Sequence, residues 1–289
     1  ANASSLERLV LGGGYDKLSG LHLENVDALT ELVLGDNVLS NVETMEFRDL
    51  PSLTTFKVSP SALRNVDILS FINLPKLQEF YVSSWRFHGS LVFNNTPSHT
   101  NFTYLAKSIS SMTSLTITKQ PWTELEFENE TFYYLYHLTV VDLPYLTTIH
   151  FHSCACAQVV TFDISQLPSL TSVVVDDGHS EPFHSGSLLV LRSLIFTDLP
   201  QLSSVYLGIE NVVHAVNITL NNLPELSSFH ISDRSLGEAY RAMFMNLPKL
   251  NEIDYEGTAL SSLRDIKYAN ISEGLYHQFC GNSIQCEEV

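Results

Sequence analysis

The sequence predicts a mainly β protein, a right-handed solenoid of about eleven ~24-residue units with parallel sheets on two sides and little helix. Three observations carry that prediction. The stretch from Leu29 to Leu39 reads LTELVLGDNVL, with leucine at Leu29, Leu32, Leu34 and Leu39 and Asn37 between them. A leucine-proline punctuation recurs at Leu50-Pro51, Leu74-Pro75, Leu143-Pro144, Leu167-Pro168, Leu199-Pro200, Leu223-Pro224 and Leu247-Pro248. A second alternating segment precedes it, as in Met45-x-Phe47, Leu69-x-Phe71, Leu138-x-Val140 and Ile218-x-Leu220.

Counted from the first position of each LxxLxL segment, units begin at Leu6, Leu29, Leu53, Leu77, His99, Trp122, Leu146, Leu170, Leu202, Leu226 and Leu250. The intervals are 22 to 24 residues, apart from one of 32 between Leu170 and Leu202. Positions four and six are apolar throughout, for example Phe102 and Tyr104, Leu125 and Phe127, and Ile253 and Tyr255. Alternate residues of a strand share a face, so these positions line a core. The second segment alternates in the same way and lacks the three-and-four spacing of a helix, so both sides of the coil are expected to be strand. After each second strand stands a polar ladder: Asn25, Asp49, Asn73, Asn95, Lys119, Asp142, Gln166, Asp198, Asn222, Asn246 and Asn270. A side chain there that bonds the next turn's backbone satisfies buried groups, and the proline that follows stops the strand. The repeat argues for one elongated domain over 1–273, followed by a tail, 274–289, that holds Cys280 and Cys286.

These motifs resemble leucine-rich repeats over nearly the whole chain. The short two-stranded unit is more similar to the cell-surface subclass and to receptor L-domain-like repeats than to helix-bearing horseshoes. The chain departs from secreted members of that superfamily in lacking a cysteine-rich cap before the first repeat, and Cys280 and Cys286 stand where a C-terminal one would leave its remnant.

Composition narrows the partners. With 32 acidic against 15 basic residues the formal net charge is −17, and the few Lys and Arg are scattered, so neither nucleic acid nor an anionic membrane surface is an expected partner. No run of 18 apolar residues marks a membrane span. The start, Ala1-Asn2-Ala3-Ser4-Ser5, has neither the basic nor the apolar part of a signal peptide, which reads as one already removed. Four cysteines suit an oxidising compartment. Cys280 and Cys286 are close enough in the chain to close a small loop, whereas Cys154 and Cys156 are expected either as buried thiols or as a strained CxC ring.

Candidate sites divide into sequons and polar clusters. Glycosylation sequons begin at Asn2, Asn94, Asn101, Asn129, Asn217 and Asn270. Strand parity turns Asn94 outward, places Asn101 and Asn129 around the first strand and Asn217 at a turn, and leaves Asn270 on a nominally inward ladder position. The long interval holds Asp176, Asp177, His179, Glu181 and His184, but their spacing matches no calcium loop or zinc motif, and a solvated loop is the expectation. In His150-Phe151-His152-Ser153-Cys154-Ala155-Cys156, Phe151 belongs to the core, so the histidines face out and the cysteines in, and the four do not share a metal. Gly12-Gly13-Gly14 reads as a tight turn, and no GxSxG elbow or carboxylate dyad is legible. The chain is therefore expected to have no catalytic residues, cofactor or metal.

A repeat scaffold alone implies no chemistry. The expected function is that of a secreted, glycosylated structural protein associating end to end through uncapped repeat ends. Its partner would be a second copy in head-to-tail contact or another extracellular protein, with N-linked glycans on its flanks. The alternative is a receptor-like or adhesin ectodomain that binds a protein or glycan on a lateral face, around Tyr81, Trp85 and Tyr206.

Overall fold

The computed structural model describes residues 5–14, 17–36, 38–39, 41–59, 62–63, 65–82, 87–96, 112–178, 186–280 and 284–289, the side chains of 80–82 excepted. Strands make up 40% of the chain and helix 3%, in a parallel β-solenoid of about 10 turns at ~24-residue spacing. Ten of the eleven expected first strands are described, and the one in the unit beginning at His99 lies outside the described residues. Contacts divide the chain into two compact units, Ala1–Trp122 and Thr123–Val289.

In the first unit, β1 (Arg8–Leu11), β3 (Glu31–Leu34), β5 (Thr55–Val58) and β7 (Glu79–Val82) form one parallel sheet. Across the core β2 (Gly20–Glu24), β4 (Thr44–Arg48), β6 (Ile68–Ile72), β8 (Ser90–Asn94) and β9 (Ser114–Thr118) form the other. In the second unit the first side is β10 (Glu124–Phe127), β12 (Thr148–Phe151), β14 (Ser172–Val175), β16 (Ser204–Leu207), β18 (Ser228–Ile231) and β20 (Asp254–Tyr255). Its second side pairs β11 (His137–Val141) with β13 (Thr161–Ser165), then starts again with β15 (Ser193–Thr197), β17 (Asn217–Asn221), β19 (Arg241–Leu247), β21 (Asp265–Ile271) and β22 (Gln285–Glu288). The 32-residue interval therefore acts on one side only. β14 still meets β16 in register, Ser172 opposite Ser204, while the second-side sheet is interrupted between β13 and β15.

Period-two alternation puts like side chains in line. Phe47, Phe71 and Phe93 stack from turn to turn at 5.5 and 5.6 Å, with Phe56 meeting Phe71 edge-on at 4.9 Å. Phe127 and Phe151 do the same in the second unit, at 4.8 Å. All are buried, and each such side chain contributes roughly 1.5–3 kcal/mol through its removal from water.

The polar ladder has a backbone cause as well as a side-chain one. All eleven of its residues have positive φ, between 50 and 59°. Nine of them are Asn or Asp, the non-glycine residues that tolerate this left-handed conformation best. Side chains bond from turn to turn, Asn73 Nδ2 donating to Asp49 Oδ1 at 2.8 Å, Asn95 Nδ2 to Asn73 Oδ1 at 2.9 Å and Asn222 Nδ2 to Asp198 Oδ1 at 2.6 Å. The proline then sits second in a β-turn closed by a leucine amide on a leucine carbonyl. Leu53 to Leu50 and Leu77 to Leu74 are examples, both at 3.2 Å.

The 274–289 segment is more ordered than a tail. Helix α1 (Glu273–Phe279) starts at Ser272, whose hydroxyl accepts from the Leu275 amide, and it buries Leu275 and Phe279. Phe279 packs against Phe244 and Tyr255 at 6.0 and 6.3 Å. Cys280 and Cys286 are joined by a disulfide with a Cα separation of 5.7 Å, and β22 adds to the sheet beside β21. The C-terminal edge of the core is thus covered by the segment that follows Ser272. No helix among the described residues is long and apolar enough to cross a membrane.

Candidate functional site

Among the described residues, a cluster of two histidines and two carboxylates lies on the outer face of the first-side sheet in the second unit. Glu126 on β10 and His150 on β12 are opposite each other in register, and both point away from the core because Leu125, Phe127, Ile149 and Phe151 point into it. His152, two residues beyond His150, returns to the same face. One turn further on, Asp176 follows β14 and receives both rings. His150 Nε2 lies 2.7 Å from its Oδ1 and His152 Nδ1 lies 2.8 Å from its Oδ2. The ring centroids are 4.0 Å apart, and one ligand atom each from Glu126, His150 and His152 falls within 4.8 Å of the others.

Asp176 is held by its backbone. Its amide donates to the Phe151 carbonyl at 2.9 Å, and its own carbonyl accepts from Asn211 Nδ2 at 2.7 Å. Asn211 is fully buried and also takes the Ser187 amide on Oδ1 at 2.7 Å, so one side chain ties together the two ends of the long interval. Gly208 packs against the same segment, and a Cβ there would stand 2.5 Å from the Asp177 amide nitrogen. Burial works to raise the Asp176 carboxyl, but the hydrogen bonds from His150 and His152 outweigh it and hold the group below its ordinary value. These two histidines were expected as exposed bystanders. They are instead half-buried and paired, with carboxylates from two other turns brought to them.

Cys154 and Cys156 remain buried thiols behind this face, and burial pushes the Cys156 thiol far up, which keeps it protonated. Both occupy left-handed corner positions, φ 61 and 53°. His179, Glu181 and His184 lie outside the described residues, so of the loop candidates only Asp176 and Asp177 are placed. Asp177 accepts the Ile209 amide at 2.9 Å.

The sequons fall in different settings. Asn129 is exposed in the turn after β10. Asn94 ends β8, half-buried. Asn217 opens β17 rather than lying in a turn, its Nδ2 3.3 Å from Ser193 Oγ. Asn270 is exposed rather than inward, with its Nδ2 given to Asn246 Oδ1 at 3.1 Å. Asn2 and Asn101 lie outside the described residues, as do Asn37, Trp85 and the side chain of Tyr81. Tyr206, the described member of the proposed aromatic patch, stacks on His230 at 5.0 Å and 4°.

The threonines and serines ahead of the first strands are largely spent on the fold. Thr54 Oγ1 donates to the Thr30 carbonyl at 3.0 Å, Thr147 to Thr123 at 2.8 Å, Thr171 to Thr147 at 3.0 Å and Ser203 to Thr171 at 3.1 Å. Comparison with known family models, curated proteins and solved structures finds no match to this chain.

Proposed function

We propose that this chain is a non-catalytic, secreted and glycosylated structural protein of the leucine-rich-repeat superfamily, associating with another polypeptide through the edge of its first turn. One observation carries the reading. Leu9, Leu11, Leu21 and Leu23 are half-exposed on β1 and β2, whereas their counterparts one turn on, Leu32, Leu34, Met45 and Phe47, are at most 1% exposed. Four leucines beside two strand edges favour pairing with a further strand. The C-terminal edge already carries α1 and β22, so the proposed contact is edge to edge between two first turns, a closed association rather than an open filament. The sequons and the Cys280–Cys286 disulfide support an oxidising, extracellular setting.

Light scattering over a range of concentrations tests this. The expected result is a dimer that Leu9→Lys with Leu23→Lys returns to monomer; a strict monomer at the highest concentration would sink the proposal. A second reading, a receptor-like ectodomain that binds on a lateral face, is favoured by the Tyr206–His230 stack and by a groove of about 350 Å³ beside Ile195, Thr219, Arg241 and Met243. It predicts capture of a protein or glycan that Tyr206→Ala or Met243→Asp abolishes in a surface-binding assay.

A further inference from the structure

We propose that Glu126, His150 and His152 form a binding site for a divalent transition-metal ion of the zinc class, with Asp176 as the residue that orients both rings. The donor set is two imidazoles and a carboxylate, a combination that suits zinc and its first-row neighbours, while calcium and magnesium take oxygen ligands. The three ligand atoms already lie within 4.8 Å of one another. Around a zinc ion they sit about 3.3 Å apart, set by bonds of roughly 2.0 Å. The difference is a side-chain rotation for Glu126, which is exposed on the outer face of β10. Water completes the coordination, as at sites with three protein ligands.

Asp176 gives the site its preorganisation. It is hydrogen-bonded to one nitrogen of each ring, and a metal-bound imidazole coordinates through its other nitrogen. A carboxylate in that place is the usual outer partner of a metal-bound histidine, fixing its tautomer and orientation. The rest of the molecule supports Asp176 in turn, through the Phe151 carbonyl and the buried Asn211 amide. The thiols contribute nothing, because Cys154 and Cys156 belong to the inward side and Cys156 stays protonated. An ion here ties β10 to β12, which makes it a clamp between two turns on the outer face.

The test uses the untagged full chain, stripped of metal by a chelator and then titrated with Zn²⁺ in a calorimeter, with Co²⁺ as the optical probe. One ion per chain is expected, giving a Co²⁺ spectrum without thiolate charge-transfer bands. H150A with H152A should weaken binding by at least about 100-fold, beyond what loss of even an outer partner costs, and E126Q should weaken it as well. D176N should keep the one-ion stoichiometry and weaken affinity by about 10–100-fold, the mark of a positioning residue. All four side chains lie on the outer face, and circular dichroism should find these variants folded. No saturable Zn²⁺ binding, binding undiminished in the folded H150A/H152A variant, or Co²⁺ bands from thiolate would each overturn the assignment.

Discussion

The first turn of the N-terminal unit and the last turns of the C-terminal unit are built from the same repeat but finish in opposite ways. At β1 and β2 the inward leucines stop half-exposed, and the strand edges carry no helix among the described residues. At β21 the chain turns into α1, drives Leu275 and Phe279 into the end of the core, and comes back as β22, whose disulfide closes the loop to the helix. The difference teaches that a repeat propagates a core without terminating it. Termination needs residues that leave the pattern, and among the described residues α1 and β22 at the C-terminal edge are such residues.

The largest expected effect contrasts the two edges directly. Phe279→Ala should cost about 3–5 kcal/mol, the range for a buried phenylalanine, and Leu9→Ala only about 1 kcal/mol, since part of its surface already meets water. Urea unfolding midpoints check this, and equal losses would break the contrast. Next comes the disulfide. Replacing Cys280 and Cys286 by serine frees a loop of sequence separation 6 and should cost about 2 kcal/mol by chain entropy, with hydrogen exchange rising first in β22.

A smaller effect asks whether the interiors of the two units behave alike. Asn73→Ala in one loses two ladder hydrogen bonds and Asn222→Ala in the other loses one, and both leave alanine at positive φ, for about 2 kcal/mol at Asn222 and more at Asn73. Glycine at Asn222 should recover about half of that, because the backbone strain is gone and only the bond is missing, and a smaller share at Asn73, where two bonds are missing. Thermal melts of the four variants settle whether strain or bonding dominates.

The smallest effect is one of pH. Asp233 is held below its ordinary 3.8, first by the Thr258 amide at 2.7 Å, then by the Thr258 hydroxyl. A depressed carboxyl stabilises the fold fully above its unfolded value, and that contribution disappears as pH falls through the lower folded value. Asp233→Asn should therefore melt below the parent at neutral pH, with the gap narrowing in acid. A gap independent of pH would mean that the asparagine keeps the Thr258 contacts and that charge is irrelevant.

Much of the fold was legible because its causes are local. Alternation marked each strand, and the ladder of Asn and Asp before leucine-proline marked each corner, although the reason that those residue types dominate, their tolerance of positive φ, appears only in the backbone. The cluster of Glu126, His150, His152 and Asp176 was missed because its members are far apart in the chain. The period held the signal: Glu126 and His150 lie 24 residues apart, as do His152 and Asp176, so each pair occupies one slot in successive turns. The C-terminal helix left a signal too, Ser272 as cap and Leu275 with Phe279 four residues apart, hidden by the expectation that a short segment after the repeats is a tail.

By itself the sequence determined that this chain coils as short parallel strands around an apolar core, since strand parity and a repeat of about 24 residues are properties of consecutive residues. Only the tertiary structure decided which outward slots meet across turns, that the long interval interrupts one sheet and leaves the other in register, and which edge of the core is covered. Those outcomes depend on contacts between residues a full turn or more apart, which local pattern does not encode.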